Sequence, residues 1–306
     1  MKKYLWGIIY GIFLTALTIY ILMDTFVITR VYQTVPSEDG EIVSELSEEN
    51  ISDSDTSEES GAAVTTVNSY EDSHISVTIT EYREKATTIY VADVRISSAE
   101  YLKTAFANGA YGRNVTEKTS EIAEKNDAIL AINGDYYGSQ ENGYVLRNGI
   151  LYRNTAAKER EDLVIYADGS FAIITETDVS AEQLLNDGAQ QIISFGPALV
   201  TDGQISVSEK DEVGKAKTSN PRTAIGIVDE LHYLFVVSDG RTEESEGLSL
   251  YELAVFMQSL GVQTAYNLDG GGSSTMYFNG EVINKPTTNG KSIRERSVSD
   301  IVYIGY

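Results

Sequence analysis

The sequence predicts a single α/β domain, on the border with α+β, in which mixed β-sheets with flanking helices follow an N-terminal membrane helix. Three observations support this class. Short segments rich in β-branched and aromatic residues are separated by turn residues, as is typical of strands. One amphipathic helix, residues 249–260, lies between two apolar strands. A separate apolar run, residues 5–23, opens the chain.

The N-terminal run has the length of a membrane-spanning helix. Its nineteen residues carry no charge and follow Lys2 and Lys3. At 1.5 Å per residue they just span a hydrocarbon core of about 30 Å. The lysines predict a cytoplasmic tip and anchor over residues 1–30, with everything beyond outside the cell membrane. A cleaved signal peptide opens in the same way, but no small-x-small cleavage site follows the run, which favours an uncleaved anchor.

The next stretch, residues 31–69, is predicted to be a disordered stalk. Residues 37–60 contain ten Asp or Glu, no Lys or Arg, and many serines. Such a segment buries too little apolar surface to offset its chain entropy, and its like charges extend it. The globular domain is therefore expected over residues 70–306.

The bulk composition excludes several function classes. The 306 residues carry a formal net charge of −23, which argues against a nucleic-acid partner. The absence of cysteine excludes disulfides, thiol nucleophiles and cysteine-based metal sites. No P-loop lysine and no Gly-x-Ser-x-Gly elbow occur, and His74 and His232 are not placed for a serine triad.

Within the domain, strands dominate from residue 75 onward. A short helix over residues 119–126 leads to a strand over residues 128–133, and Asn148-Gly149 predicts a type I′ hairpin. Residues 231–237 form the most hydrophobic strand. The helix at 249–260 follows, with a Ser249–Glu252 capping box, and a strand after it completes a βαβ-like unit.

Polar residues collect where the predicted strands end, often beside glycine. In isolation each of them is explained as a turn residue or a local backbone cap. Several strand ends repeat the pattern, which indicates a site on loops held by a rigid sheet. The candidates are Asn133, Asp135, Arg222, Asp239, Arg241, Asn267, Asp269, Gly270, Gly271, Gly272, Ser273 and Ser274.

The motifs around these residues resemble those of the phosphodiester glycosidase family. They are Asn-Gly-Asp-Tyr-Tyr (133–137), Gly-Pro-Ala-Leu-Val (196–200), Pro-Arg-Thr-Ala-Ile-Gly (221–226), Asp-Gly-Arg (239–241), Asn-Leu-Asp-Gly-Gly-Gly-Ser-Ser-Thr-Met (267–276) and a closing Arg-Ser-Val-Ser-Asp-Ile-Val (296–302). The resemblance covers residues 70–306. It implies a hydrolase that cleaves between a sugar's anomeric carbon and a phosphodiester oxygen, with bacterial relatives often described as exopolysaccharide-related. Disulfide-linked modules found in the lysosomal member have no counterpart here, so its sugar specificity does not transfer.

The candidate residues suit that chemistry. An oxocarbenium-like centre needs a carboxylate as nucleophile or as base for water, and Asp269 is the first choice with Asp239 second. The phosphate needs planar cationic donors, for which Arg222 and Arg241 are suited. Because a phosphate monoester leaves readily, a histidine acid is not required.

The remaining candidates are assigned to binding. The N–H groups of Gly270, Gly271 and Gly272 and the hydroxyls of Ser273 and Ser274 are expected to form an oxyanion cradle. Asn133 and Asn267 are expected to orient sugar hydroxyls. Asp135 would assist or bind a cation. A divalent cation, Ca²⁺ or Mg²⁺, is an option at Asp135, Asp239 or Asp269, although no cofactor is required by the sequence.

The sequence thus predicts a membrane-anchored hydrolase of sugar-1-phosphodiesters in surface glycans or polymers. Two alternatives stay open. One is a noncatalytic binder of phosphorylated glycans that uses the same arginines and glycine loop. The other is a glycosyl or phosphoryl transferase in exopolysaccharide assembly.

Overall fold

The computed structural model describes residues 2–35, 63–210 and 219–306. Its α-helices are α1 Lys2–Phe26, α2 Thr119–Lys125, α3 Ala181–Asn186 and α4 Leu250–Ser259. Its strands are β1 Arg30–Thr34, β2 Val64–Thr65, β3 Ser69–Glu71, β4 Ile75–Glu84, β5 Thr87–Ile96, β6 Leu102–Phe106, β7 Ala110–Arg113, β8 Leu130–Asn133, β9 Val145–Arg147, β10 Ile150–Arg153, β11 Glu161–Tyr166, β12 Phe171–Thr175, β13 Ala189–Ile193, β14 Ala198–Thr201, β15 Gln204–Ile205, β16 Arg222–Asp229, β17 His232–Ser238, β18 Thr264–Asn267, β19 Met276–Phe278, β20 Glu281–Val282 and β21 Asp300–Ile304. Short 3₁₀ turns lie at Ala99–Tyr101, Ala107–Gly109, Tyr137–Ser139 and Gly271–Ser273.

Three larger sheets and one two-stranded ribbon organise the described residues. The largest sheet has nine strands in the order β15-β14-β18-β16-β17-β5-β4-β3-β2. The second has the order β20-β19-β8-β21-β6, the third β10-β9-β13-β11-β12, and the ribbon pairs β1 with β7. All strand pairs among the named strands are antiparallel.

One apolar core joins the three larger sheets. Ile132 of β8, Leu163 of β11 and Phe235 of β17 are fully buried in the same cluster. Full burial of such a side chain contributes about 1.5–3 kcal/mol, so the three sheets stabilise one another and fold as one domain. The predicted class is confirmed: helices and strands share a single globular domain after an N-terminal helix. The antiparallel pairing places it on the α+β side of that class.

The predicted capped helix is α4, which covers one face of the nine-stranded sheet. Ser249 accepts a hydrogen bond from the N–H of Glu252 at 3.1 Å, and the Glu252 carboxylate accepts one from the N–H of Ser249 at 2.9 Å. A capping interaction of this kind contributes about 1 kcal/mol. Leu253 and Met257 are buried against the sheet. The helix connects β17 to β18, and β16 lies between those two strands and pairs antiparallel with both.

Other predicted elements also agree with the structure. The predicted helix at 119–126 is α2, and the strand after it is β8. Asn148 and Gly149 both have positive φ, at 49° and 74°, as a type I′ turn between β9 and β10 requires.

The N-terminal helix α1 and the segment after it precede the main body of the domain. Within α1, residues 6–26 are long and apolar enough to cross a membrane, a test that a signal sequence also passes. The predicted stalk, residues 31–69, lies largely outside the described residues. Its two described ends are strands: β1 pairs with β7, and β2 pairs with β3 at the edge of the nine-stranded sheet. Backbone pairing makes these ends part of the folded domain.

Candidate active site

The candidate residues meet at one end of the nine-stranded sheet and of the second sheet, which contains β8. Strands β8, β17 and β18 end there at Asn133, Ser238 and Asn267, and β16 begins there at Arg222. The register sets Arg222 opposite Ser238 on one side and Ala224 opposite Asn267 on the other. The residues that follow β17 and β18 therefore lie two strand spacings apart, about 10 Å.

Asp269 is the more accessible of the two predicted catalytic carboxylates. Its Oδ2 accepts hydrogen bonds from Ser273 Oγ at 2.6 Å and from Arg296 Nη2 at 2.8 Å. Its side chain remains 18% exposed. Burial raises the pKa of Asp269, and Arg296 and Ser273 offset part of that rise. The site thus presents an oriented carboxylate with one cationic partner.

Backbone contacts with the second sheet fix Asp269. Its N–H donates to Gly134 O at 3.2 Å, and its carbonyl accepts from Asn133 Nδ2 at 2.6 Å. Asn133 is fully buried, and its Oδ1 accepts from Thr223 Oγ1 at 2.9 Å and from the N–H of Thr275 at 3.2 Å. Asn133 therefore ties both sheets to the glycine loop, and its polar atoms are engaged by the protein.

Arg241 is the second exposed cation beside the loop. Its Nε and Nη2 donate to Asn220 Oδ1 at 3.1 and 3.0 Å, and its Nη1 donates to Thr288 O at 2.7 Å. Burial and the charge of Arg296 lower the pKa of the Arg241 guanidinium, so the two arginines are electrostatic neighbours. A Cβ at Gly271 would lie 2.8 Å from Arg241 Nη2, and Gly271 has a φ of 65°. Only glycine fits there without strain.

Asp239 lies deeper than Asp269. It is 4% exposed, and its Oδ1 accepts from Asn284 Nδ2 at 3.1 Å and from the N–H of Lys285 at 2.8 Å. Burial raises the pKa of Asp239. Asn284 Nδ2 also donates to Ser274 O at 3.0 Å, so Asp239 is linked to the glycine loop through one amide. The structure brings both predicted carboxylates to the same end of the sheet.

The loop itself is a tight turn. The N–H of Gly271 donates to Pro221 O at 2.8 Å, and the N–H groups of Ser273 and Ser274 close the turn on Gly270 O and Gly271 O at 3.3 Å. Among the described residues, the N–H groups of Gly270 and Gly272 have no acceptor outside the turn. Of the predicted cradle, the N–H of Gly271 is already used within the protein. Ser273 and Ser274 are fully buried.

Two further candidates face the interior. Arg222 is 3% exposed, and its Nε donates to Leu248 O at 2.8 Å. Asn267 is 1% exposed and donates from Nδ2 to Gly196 O at 2.7 Å. In the part of the chain that the structure describes, Asn267 Oδ1 is buried without a hydrogen-bond partner.

Asp135 belongs to a buried charge cluster behind the site. Its Oδ2 accepts from Arg147 Nη2 at 2.8 Å, and the same nitrogen donates to Asp300 Oδ2 at 2.7 Å. All three side chains are at most 2% exposed. Burial and Asp135 raise the pKa of Asp300 to about 7. The residues described in the structure contain no group of three His, Asp or Glu arranged to hold a metal ion.

Sequence reasoning did not select Arg296, Tyr136 or Phe195 as site residues. Tyr136 and Phe195 form an edge-to-face pair with ring centroids 4.9 Å apart. Burial raises the pKa of the half-buried Tyr136, with smaller contributions from Asp135 and Asp269. Tyr136 belongs to the 133–137 motif and Arg296 opens the closing motif, so position within the motifs was the signal that could have found both.

Together these residues define a class of site. A partly exposed carboxylate and two neighbouring guanidinium groups suit a substrate that has a reacting sugar carbon and a phosphate. The chain belongs to the phosphodiester glycosidase family, whose sequence model matches residues 126–305. Membership confirms the resemblance seen in the motifs and the predicted hydrolase class.

Individual relatives agree with this membership. The chain is 28% identical over 175 residues to mouse (Mus musculus) N-acetylglucosamine-1-phosphodiester alpha-N-acetylglucosaminidase, covering 52% of this chain and 33% of that protein. It is 29% identical over 203 residues to the SPbeta prophage-derived protein YomE of Bacillus subtilis, covering 64% of this chain and 31% of that protein. The chain therefore spans about a third of the length of these relatives.

Solved structures show the same fold. The zebrafish N-acetylglucosamine-1-phosphodiester alpha-N-acetylglucosaminidase catalytic domain, auto-inhibited by its pro-peptide, superposes with a TM-score of 0.60 at 22% identity. That match covers 76% of this chain and 83% of the zebrafish chain. A Synechocystis protein superposes with a TM-score of 0.54 at 15% identity, covering 76% of this chain and 62% of its own.

Proposed function

We propose that this protein hydrolyses the bond between the anomeric carbon of a sugar and a phosphodiester oxygen, with N-acetylglucosamine-1-phosphodiesters as the first substrates to test. The observation that carries the proposal is the accessible Asp269 carboxylate beside the Arg296 and Arg241 guanidinium groups. The mouse relative's name adds the sugar.

In the proposed reaction the C1–O bond breaks and its electron pair leaves with the phosphate monoester. Asp269 stabilises the positive charge that develops at C1, either as nucleophile or as base for the attacking water. Water supplies the hydroxyl that ends on C1. Arg241 and Arg296 bind the phosphate, and the forked geometry of a guanidinium matches two phosphate oxygens.

Asp239 is the second carboxylate of the proposal. Burial raises its pKa, which favours the protonated form that a proton donor needs. Its Oδ1 is already engaged by Asn284 and Lys285, so the orientation of its carboxyl group is fixed. Asp269 is the stronger choice for the reacting carboxylate because it is more exposed.

The proposed reaction uses arginines in place of a divalent cation. Asp269 is paired with Arg296 and Asp135 with Arg147, and a cation at either carboxylate would have to displace a guanidinium. A chelator is expected to leave turnover unchanged. Loss of activity with EDTA, restored by Ca²⁺ or Mg²⁺, would show that the reaction needs a metal.

We further propose that α1 anchors the enzyme in the cell membrane with the domain outside, so that surface glycans or exopolysaccharides are its substrates. The apolar length of residues 6–26 and the lysines before it support this placement. Protease added to intact cells should cleave the domain. If the domain is protected, it lies on the cytoplasmic side and the proposed orientation is wrong.

The activity test uses the full chain in detergent micelles and the methyl phosphodiester of α-N-acetylglucosamine 1-phosphate. Release of reducing sugar is measured, with the neutral methyl α-glycoside as comparison. Asp269→Asn should lower the rate about 10²- to 10⁴-fold, the contribution expected of a positioned carboxylate of this kind. The exposed Asp93 provides the matched control Asp93→Asn, which should keep full activity.

The alternatives give different results in the same assay. Tight binding of the phosphodiester without turnover would favour the noncatalytic binder. Sugar transfer to an added glycan acceptor, without free reducing sugar, would favour the transferase. If Asp269→Asn keeps activity within tenfold, which corresponds to about 1.4 kcal/mol of barrier, then Asp269 is not the reacting carboxylate.

A further inference from the structure

A second polar pocket lies at the membrane-proximal end of the domain, where the chain leaves α1. Strand β1 pairs with β7 in a register that sets Arg30 opposite Arg113. Asn114, the residue after β7, donates from Nδ2 to Thr25 O at 3.2 Å and to Ile28 O at 3.1 Å. The domain therefore caps the end of α1 directly, and this pocket faces the membrane surface whenever α1 spans the bilayer.

The pocket has a volume of about 350 Å³, enough for a small polar group. Three arginines and three tyrosines dominate its lining. They are Arg30, Arg113, Arg153, Tyr32, Tyr111 and Tyr137. This composition suits an anion, because the arginines supply cationic donors and the tyrosine hydroxyls can donate as well, although Glu141 also lines the pocket.

The charges in and around the pocket leave it positive. Arg30 pairs with Asp24, and Arg113 pairs with Glu141 at 3.3 Å. Within the described residues Arg153 pairs with no carboxylate, and its Nη1 donates to Tyr137 O at 3.2 Å and to Gln140 O at 2.7 Å. The pocket thus keeps one uncompensated cation in a chain whose net charge is −23.

One buried donor of a residue that lines this pocket lacks a partner, which is the observation that points to a ligand. Arg153 lines the pocket, and its Nη2 is buried without a hydrogen-bond partner among the described residues. The Tyr137 hydroxyl is also unpartnered within that part of the chain, but burial and the charge of Asp300 raise its pKa, so it belongs with the buried Asp300 cluster rather than with the pocket. Leaving a buried donor unpaired costs about 1–3 kcal/mol, which a bound acceptor would recover.

The pocket also lies at the depth of lipid phosphates. The N–H groups of Val27 and Ile28 both donate to Met23 O, which keeps the end of α1 coiled. Arg30 follows Phe26 by four residues, at most about 14 Å of chain. A headgroup layer extends about 6 Å beyond the hydrocarbon core on each side. A headgroup phosphate is therefore within reach of the Arg30 side chain.

We propose that this pocket binds the phosphate headgroup of an anionic membrane lipid and so holds the domain in a fixed orientation on the bilayer. The pocket shares none of its lining residues with the candidate active site. The proposal therefore does not depend on the proposed activity, but it rests on the proposed anchoring of α1 in the membrane.

The test is native mass spectrometry of the full chain released from detergent micelles after equilibration with dioleoylphosphatidylglycerol. Dioleoylglycerol, which lacks the phosphate, is the comparison lipid, and glycerol 3-phosphate is the soluble comparison. Arg30→Gln with Arg113→Gln removes two cations from the pocket. Arg95→Gln with Lys158→Gln removes the same charge from side chains that are 64% and 85% exposed elsewhere.

The chain should retain phosphatidylglycerol but not dioleoylglycerol. The pocket variant should lose about tenfold in lipid occupancy, and the charge-matched control should lose little, because charge-assisted contacts to phosphate are the stronger hydrogen bonds. If glycerol 3-phosphate binds as tightly as the lipid, a soluble phosphate ester replaces the lipid as the ligand and the membrane role is overturned.

Two results would overturn the pocket as a phosphate site. One is that the wild type and the pocket variant retain phosphatidylglycerol equally. The other is that the wild type retains dioleoylglycerol as well as phosphatidylglycerol. Circular dichroism melts establish that the variants fold. If the double variant does not fold, Arg113→Gln alone carries the test, since the Arg113 side chain is 19% exposed and pairs only at the surface.

Discussion

Replacing Arg296 by glutamine separates the two roles that the structure gives this residue. Its Nη2 donates to Asp269 Oδ2 at 2.8 Å, and its Nε donates to Ser273 Oγ at 2.8 Å. The same guanidinium lies near Arg241, where the substrate phosphate is proposed to bind. Glutamine keeps a planar donor but removes the charge.

The exposure of Arg296 determines how much the substitution changes stability and how much it changes turnover. The Arg296 side chain is 44% exposed, so its ion pair with Asp269 contributes at most about 1 kcal/mol to folding. A hydrogen bond to a charged group contributes about 1.5–3 kcal/mol. Losing one such contact to the phosphate lowers kcat/KM about 10- to 150-fold. The variant should therefore fold almost normally and turn over poorly.

The pH profile gives an independent readout. Burial raises the pKa of Asp269, and Arg296 opposes that rise. Without Arg296 the pKa of Asp269 moves further up. The ionised carboxylate is the reactive form, so the acid limb of kcat/KM should shift to higher pH. Arg296→Lys keeps the charge and should restore the limb while restoring kcat/KM only in part, since lysine lacks the fork.

The assay is the pH dependence of phosphodiester turnover by the full chain in micelles, with thermal melts of each variant. Arg294→Gln is the matched control, because Arg294 precedes Arg296 by two residues and is exposed. Its backbone N–H, which the substitution keeps, donates to Pro286 O. An acid limb that stays in place or moves to lower pH would refute the link between Arg296 and Asp269. An unchanged kcat/KM would refute the phosphate role.

Three further predictions follow from the same geometry. Gly271→Ala should destabilise the folded protein by about 1–2 kcal/mol and abolish most turnover, because Gly271 has positive φ and lies close to Arg241. The control Gly261→Ala, also at positive φ but with open space around it, should cost similar stability and leave turnover unchanged. Equal turnover in both variants would contradict the close approach at Gly271. Tyr136→Ala should raise KM more than it lowers kcat, because Tyr136 and Phe195 offer aromatic surface beside Asp269 for a sugar ring; an unchanged KM would exclude that contact. Stability should fall as pH rises from about 4 to about 7, because burial and the charge of Asp135 raise the folded pKa of Asp300 to about 7, above its ordinary value of 3.8. Melting temperatures that climb from pH 5 to pH 8 would contradict this sign.

The local patterns of the sequence were sufficient for much of the fold. The capping box at Ser249, the Asn148-Gly149 turn and the apolar run of β17 depend on neighbouring residues, and all three occur as predicted. The stalk was a different case. Charge alone assigned residues 31–69 to it, but the strand at Arg30–Thr34 is held by backbone pairing with β7, which side-chain composition does not encode.

The candidate site was predictable in position but not in detail. Strand ends and glycines placed Asp239, Arg241 and Asp269 correctly at one end of the sheet. The missing partner, Arg296, lies 27 residues from Asp269 in the chain, and its contact depends on how the loop after β20 folds back. Arg222 looked like a free cation in sequence but is 3% exposed.

The position of Asp269 is a property of the packing between two sheets rather than of its own loop. Strand β18 of the nine-stranded sheet delivers the residue, but Gly134 and Asn133 of the second sheet hold its backbone on both sides. Asn133 in turn is held by Thr223 of β16. Because the carboxylate is fixed from both sheets, the glycines of the loop need only leave room for Arg241. The proposed reacting group is therefore held rigidly by the packing of two sheets, as a site that binds a charged transition state requires.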